Sequence, residues 1–310
     1  MELAIARQLS KRRHAMRSFL VGAITLLMLG AACGSGGGAE EGDQVVVGAV
    51  TFAENQIVAE MYARVLEKTG YEVDREFNYQ DRERLLPDLE SGSIDLAPEY
   101  LASLLTALDP DASPSSEPSE NVARLEPLLA EEDLTLLEPS EANDANAFVV
   151  TPETAARFDL ESVSDLEPHE SELTLGGPPE CPERTFCIEG LRDVYGIEFG
   201  DFRPLDTGGP LTAAALQSGE VDVALLFSTS GVVGARGWVV LEDDKELQSA
   251  ENITPLAANE VLNDEITQAL NSVSKELSTK AMTELNARVE AENEDFRAVA
   301  EDFLSRTGLL

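Results

Sequence analysis

A chain of 310 residues with 59 Asp and Glu against 22 Lys and Arg, net charge −37, has no clustered basic surface to offer a phosphate backbone. That excludes nucleic acid as a partner. Two histidines and three cysteines supply neither metal-ligand spacing nor a nucleophile with a base beside it, and no Gly-rich loop follows a strand in the phosphate-cradling pattern; no metal, no cofactor and no enzyme activity are expected.

In chain order, Arg7, Lys11, Arg12, Arg13 and Arg17 precede an apolar run from Phe19 to Leu29 and the small residues Gly30, Ala31 and Ala32, the pattern of an export signal. The run is shorter than the roughly 20 residues a membrane span needs. It ends at Cys33, and Leu29-Gly30-Ala31-Ala32-Cys33 resembles the lipobox of bacterial lipoproteins, with Gly30 where leucine is usual. The resemblance implies a lipid anchor on Cys33 and an extracytoplasmic protein held at the cell membrane; ordinary secretion is the alternative. Gly34 to Asp43, rich in Gly and acidic residues, reads as a flexible tether. Loss of residues 1–32 removes five basic side chains and Glu2, carrying the net charge from −37 to −41. Self-repulsion of that size calls for screening counterions and points to a salty medium, an acid-rich surface of ordinary habitat being the alternative.

From Gln44 the pattern alternates. Val45–Val50 reads as a buried strand, Gln56–Lys68 as a helix with Ile57, Met61, Val65 and Leu66 on one face, Tyr71–Phe77 as a strand, Arg84–Ser91 as a helix and Ile94–Ala97 as a short strand. Such alternation argues a parallel sheet covered by helices, with ligand beyond the carboxyl ends of the strands, where the expected loops Thr51–Asn55, Asn78–Arg82 and Pro98–Ser103 would lie. A Pro/Ser/Asp-rich loop (Asp109–Glu120), a helix (Asn121–Glu132) and a strand (Leu134–Leu137) follow.

The pattern then restarts. Strands are expected at Phe148–Val150, Leu173–Gly177, Asp201–Leu205, Val221–Phe227 and Val239–Leu241, with helices at Pro152–Phe158, Ile188–Tyr195 and Pro210–Gln217. Cys181 and Cys187 lie close together in a Pro- and Gly-rich loop, and in an oxidising compartment they are expected to pair. From Asn259 onward the chain is helical and must cover a sheet, most economically that of the first unit. About 270 residues suggest two domains, and two α/β units with a returning chain leave a cleft between them.

Several blocks carry a family resemblance. Val47-Gly48-Ala49-Val50-Thr51-Phe52-Ala53-Glu54-Asn55-Gln56, Gly92-Ser93-Ile94-Asp95-Leu96-Ala97-Pro98-Glu99-Tyr100, Gly177-Pro178-Pro179-Glu180 with Arg184, Leu205-Asp206-Thr207-Gly208-Gly209-Pro210 and Gly219-Glu220-Val221-Asp222-Val223-Ala224 together resemble the glycine betaine/choline/carnitine-binding proteins of osmoprotectant ABC importers, from about Val45 to Leu310. The resemblance implies a type II periplasmic-binding-protein fold of class α/β: lobe 1 from 44–145 plus 253–310, lobe 2 from 146–252, two crossovers near Glu141–Asn146 and Glu251–Pro255, and jaw-like closure over a ligand. It also implies ABC permease subunits as partners and a monomeric receptor.

Such proteins hold a quaternary ammonium in a cage of tyrosines, whose ring faces attract a cation, and meet a ligand carboxylate with basic and hydroxyl groups. Position by position, Tyr100 matches a cage tyrosine and Arg184 a carboxylate-binding arginine. Asn146, Phe227 and Glu251 stand where tyrosines are expected, and Val50 where some members have lysine. Glu251 or Glu180 is then a candidate charge partner for an amine, and Arg82 an anion contact or a solvated arginine at a helix start. Ser103, Ser228, Thr229 and Asn252 are secondary candidates, with capping of helices and turns as their ordinary role. Trp238, next to an expected buried strand, is expected in the core, with a place in the cleft lining as the alternative. The function implied is capture of an osmoprotectant such as glycine betaine or choline. An amino acid or other zwitterion on the same fold, or a surface lipoprotein with a decayed cleft, are the alternatives.

Overall fold

The computed structural model describes residues 44–310; the export signal, Cys33 and the tether lie outside the described residues. The first unit runs β1 (Gln44–Val50), a helix (Ala53–Thr69), β2 (Glu72–Tyr79), a helix (Arg82–Glu90), β3 (Leu96–Tyr100), helices Leu101–Leu108 and Pro118–Ala130, and β4 (Leu134–Leu136). Its sheet has the order β2-β1-β3-β10-β4, where β10 (Ile253–Ala258) arrives from the far end of the chain. The second unit contains β5 (Asn146–Val150), β6 (Thr174–Gly177), β7 (Asp201–Pro204), β8 (Val223–Phe227) and β9 (Val239–Val240), in the order β7-β6-β8-β5-β9. These two sheets, each with its helices, are the two lobes of a periplasmic-binding-protein fold.

The sheets are parallel at heart, as the alternation predicts, and mixed at the strands that link the lobes. β1 runs parallel to β2 and β3, and β6 to β7 and β8, whereas β10 is antiparallel to β3 and β4, and β5 to β8 and β9. The chain leaves the first sheet after β4 and re-enters it at β10 from the same end, and it enters the second sheet at β5 and leaves it after β9 likewise, so the leaving and entering strands pair antiparallel.

Two strands depart from the boundaries expected from sequence. The strand expected at Ile94–Ala97 lies at Leu96–Tyr100, so that Pro98–Ser103 is the end of a strand and the start of a helix rather than a loop. The segment Glu251–Pro255, expected as connection, leads directly into β10. In both cases a proline hides the strand. Pro98 faces Pro255 across the pair β3–β10; two residues without N–H groups face each other only at a non-hydrogen-bonded position, where neither lacks a partner.

The helix Ala53–Thr69 is buried nearly all round, with Ile57, Met61 and Tyr62 at zero exposure. It lies between the first sheet and the helices Asp264–Glu276, Thr279–Glu290 and Phe296–Thr307, whose Ile266, Leu270, Met282 and Val299 join the same core. The helical tail therefore covers the first sheet. Trp238 packs with Leu226 and Val233 in a core of the second lobe.

The two crossovers hold each other. Asn143 and Asn252 form an antiparallel bridge, the Asp144 N–H donates to the Glu251 carbonyl at 3.1 Å, and the Glu251 N–H donates to Asn143 Oδ1 at 2.7 Å. The acidic, Pro-rich loop before Pro118 straps this junction: the Ala250 N–H donates to the Ser115 carbonyl at 2.9 Å. On another face of the junction the helix Gly231–Arg236 of the second lobe packs on Thr279–Glu290 of the first. A Cβ on Gly231 would lie 2.6 Å from the Asn286 carbonyl carbon, so only glycine lets the two backbones approach this closely.

Candidate functional site

Between the lobes opens a cleft of about 1220 Å³. Its floor is the pair of crossovers, and its first wall is built by the ends of β1 and β3 and the start of the helix Arg82–Glu90. All three segments expected to carry ligand contribute, through Phe52 and Asn55, through Gln80–Arg82, and through Pro98–Ser103.

Among the described residues four aromatic rings line it: Phe52 and Tyr100 from the first lobe, Phe186 and Phe227 from the second. Phe52 and Tyr100 have ring centroids 6.1 Å apart. Phe52 sits at the N-cap of the helix Ala53–Thr69 without any side-chain cap and is 43% exposed. A phenylalanine where Ser, Thr, Asp or Asn is preferred, held out into a cleft, breaks the local rule at the site, as functional positions tend to. Phe186 adjoins Cys187, whose sulfur is bonded to that of Cys181, both sulfurs buried in the second core. This closed loop lies against Gly190, where a Cβ would meet the Thr185 carbonyl oxygen at 1.8 Å; the close approach brings Thr185 and Phe186 to the cleft wall.

The electrostatics are one-sided. Among the described residues the lining carries seven carboxylates (Asp81, Glu83, Glu99, Asp144, Glu189, Asp193 and Glu251) and one basic side chain, Arg82. Arg82 is already paired: its Nη2 lies 2.8 Å from Glu99 Oε2 and its Nε donates to the same oxygen at 2.9 Å. Burial of Glu99, 3% exposed, makes that pairing necessary.

Glu251 is engaged as well. Its Oε1 accepts from the Ser103 hydroxyl at 2.6 Å and its Oε2 from the Ser103 N–H at 3.0 Å. Ser103 lies in the first turn of Leu101–Leu108, a helix whose N-cap Tyr100 makes no side-chain cap bond, so Glu251 satisfies one of its orphan donors. Burial, first, and then the Asp144 charge push the Glu251 carboxyl above its ordinary value, against the Ser103 bonds and the Arg82 charge, which lower it.

Behind the wall, Tyr100 donates its hydroxyl to Glu54 Oε1 at 3.0 Å. Asn286 Nδ2 donates to Glu54 Oε2 at 2.7 Å and to the Thr229 carbonyl at 2.9 Å, and the Thr229 hydroxyl donates to Asp144 Oδ1. This buried chain runs from the first lobe through the second to the crossover. Burial, then the charge of Asp144, pushes Glu54 up to about 8.

Of the residues singled out in the sequence, the cleft brings together Tyr100, Phe227, Asn146, Glu251, Ser103 and Arg82, with Val50 beside them. Arg184 and Glu180 are exposed on the loop between β6 and the turn Ile188–Gly190 and are not in the lining. Thr229 is buried on Asp144, and Asn252 Nδ2 donates to the Ser140 carbonyl at 2.9 Å; both act in the junction. Phe52, Phe186, Glu54 and Asp144 enter from the structure. The N-cap phenylalanine is a signal readable in the sequence, whereas Phe186 depends on how the disulfide loop folds back.

Residues 43–306 match the family described as the substrate-binding domain of an ABC-type glycine betaine transport system. The chain is 28% identical over 287 residues to a glycine-betaine-binding protein of Pseudomonas aeruginosa, covering 88% of this chain and 91% of the relative. It is 27% identical over 276 residues to the carnitine transport binding protein OpuCC of Listeria monocytogenes, covering 87% and 88%. A crystal structure of a glycine betaine/carnitine/choline ABC transporter protein superposes with a TM-score of 0.80 at 28% identity, covering 86% of this chain and 99% of that one. Apo YehZ of Escherichia coli superposes at 0.76 with 26% identity, covering 86% and 99%.

Proposed function

This chain belongs to the family of substrate-binding domains of ABC-type glycine betaine transport systems, and from that membership we propose what it captures and how. It is a solute-binding protein of an ABC transporter and not an enzyme. The ligand we infer is a small quaternary ammonium compound, choline ahead of glycine betaine.

The observation that carries this is the composition of the cleft: four aromatic rings, two from each lobe, among seven carboxylates, with the one basic side chain already bound to Glu99. Each ring face offers a trimethylammonium group about 0.5–2 kcal/mol. The carboxylates favour a net cation, and a ligand carboxylate finds no free countercharge. Closure of lobe 1 (44–145 with 253–310) on lobe 2 (146–252) brings Phe52 and Tyr100 towards Phe186 and Phe227 around the cation. A second reading, a zwitterion such as carnitine or an amino acid whose carboxylate docks on Arg82, is favoured by the position of Arg82 on the cleft wall.

We further propose that the protein works as a monomer, anchored outside the cell by a lipid on Cys33, and presents closed lobes to the permease. A thermal-shift panel of choline, glycine betaine, carnitine, proline betaine, ectoine and the common amino acids tests the ligand. At a hundred times its Kd the right compound adds about 2.7 kcal/mol, a melting shift of roughly 5 °C. Choline is expected to give the largest shift. A response confined to amino acids rejects the cation reading, and silence across the panel rejects capture of these solutes altogether.

A further inference from the structure

A buried carboxyl group stands behind the aromatic wall of this cleft. Glu54 is 2% exposed and lies behind Tyr100, whose ring forms part of the lining and whose hydroxyl donates to Glu54 Oε1. The groups that face Glu54 come from every element around it: Tyr100 at the end of β3, Asn286 on the helix Thr279–Glu290, Thr229 after β8, and Asp144 on the first crossover. The charge that bears on Glu54 is that of Asp144. Asp144 in turn bears on Glu251 across the junction and on Glu290, whose carboxylate accepts from the Gly231 N–H at 3.1 Å. Arg82, the basic side chain of the lining, is committed to Glu99 and bears on Glu251.

Two buried carboxyl groups that share a threonine hydroxyl and lack a countercharge do not both ionise; one retains a proton. We propose that Glu54 keeps that proton while the cleft is empty and releases it when a quaternary ammonium docks on Tyr100, so that capture exchanges one proton for one cation. This rests on the reading of the cleft as a cation site. The step balances: the O–H bond of Glu54 breaks, its electron pair stays on the carboxylate, the proton goes to solvent, and the positive charge of the ligand takes the place of the one that left. Glu54 never touches ligand. It is a positioning residue acting through Tyr100, and once ionised it strengthens the hydrogen bond from the phenol and makes the ring face more attractive to a cation.

Burial and the Asp144 charge hold the free carboxyl near 8, and a positive charge on the face of Tyr100, whose hydroxyl contacts Glu54, is expected to lower it by about one unit, the lower end of what a close opposite charge does to a carboxyl. Around pH 7.5 the empty protein therefore carries the proton and the complex largely does not.

The test is calorimetric titration of the purified protein with choline chloride at pH 7.5 in phosphate and in Tris, buffers of different ionisation enthalpy. The difference in heat gives the protons released: about half a proton or more per choline, with the Kd about tenfold tighter at pH 9 than at pH 6. Glu54→Gln keeps an acceptor for Tyr100 and is expected to release none and to bind with a Kd independent of pH. Asp144→Asn removes the repulsion and is expected to move the release to lower pH, which a merely structural Glu54 would not do. Choline binding without proton release in the wild type, or release that survives in Glu54→Gln, overturns the exchange while leaving the cation site standing. Absence of heat with choline, glycine betaine and carnitine at every pH overturns the cation site and the exchange with it.

Discussion

Glu251 and Ser103 join the crossover to the first lobe by a carboxylate laid across a helix N-terminus, one oxygen on the hydroxyl at 2.6 Å and the other on the N–H at 3.0 Å. The same glutamate, a candidate charge partner for an amine, thus has a mechanical duty in the junction. Removing it by Glu251→Ala is expected to cost about 1–2 kcal/mol, the worth of an N-cap, read as a lower urea midpoint at unchanged m-value. Ser103→Ala removes one of the two bonds and costs about half as much.

Phe52 supplies the sharpest separation of binding from stability. At 43% exposure its ring contributes little to the core, so Phe52→Ala is expected to leave the melting temperature within about 2 °C while weakening choline binding some 3- to 30-fold, the value of one cation–π contact. Phe227→Ala, more buried, lowers both. Fluorescence or calorimetric titration beside a melting curve makes the comparison, and unchanged affinity in Phe52→Ala would remove that ring from the cage.

Arg82 and Glu99 discriminate between a cation and a zwitterion as ligand. Arg82→Gln strands the Glu99 carboxylate, whose side chain is 4% exposed, and is expected to destabilise the protein by about 3 kcal/mol. The double variant Arg82→Gln/Glu99→Gln recovers most of that loss. In the double variant choline affinity stays within about threefold, whereas a ligand whose carboxylate sits on Arg82 loses at least tenfold.

Stability should depend on pH through Glu54. Its folded-state value, about 8, is above the ordinary 4.5, so between those limits the folded protein binds more protons than the unfolded chain. The stabilisation is therefore complete below about pH 4.5 and drains away as pH rises towards 8. Urea midpoints of the ligand-free protein are expected to fall across that window in the wild type and to fall less in Glu54→Gln. Equal slopes in the two would place the titrating group elsewhere.

The acidic excess, net −37 over the whole chain, makes a simpler prediction. Screening of like charges should raise the melting temperature by about 5 °C or more between roughly 0.05 M and 2 M KCl. A melting temperature indifferent to salt would remove the argument for a saline habitat.

What the sequence disclosed divides along physical lines. Period-3.6 and period-2 patterns read through to the helices and most strands because each buries a face of its own, as Val45, Val47 and Ala49 do in β1 and Ile57 and Met61 in the helix above it. β10 was hidden because Pro255 interrupts it and its apolarity is that of a strand flanked on both edges. The cleft was legible at Tyr100 and Phe227 through the family resemblance, which matches both positions to cage tyrosines; the strand pattern alone ends at Ala97, before Tyr100. Phe186 was not, since it reaches the cleft through a disulfide-closed loop folded on Gly190. Arg184 lies only two residues before Phe186 and is exposed outside the lining; spacing along such a loop says little about which side chains face inward. Glu54 and Asp144 look like any acidic residues in a chain that has 59 of them, and only burial sets them apart.

The place of β10 in the first sheet governs the order in which the molecule can be made. All strands of the second sheet lie between Asn146 and Val240, so that sheet is complete as soon as this stretch has emerged, with Leu241 and Leu247 closing its core shortly after. The first sheet waits, because β10 sits between β3 and β4 and arrives only at Ile253, and the helices that cover it come later still. During synthesis the facing edges of β3 and β4 stay open across a gap one strand wide. The lobe encoded first is thus finished last, and refolding should show the second lobe gaining protection before the first.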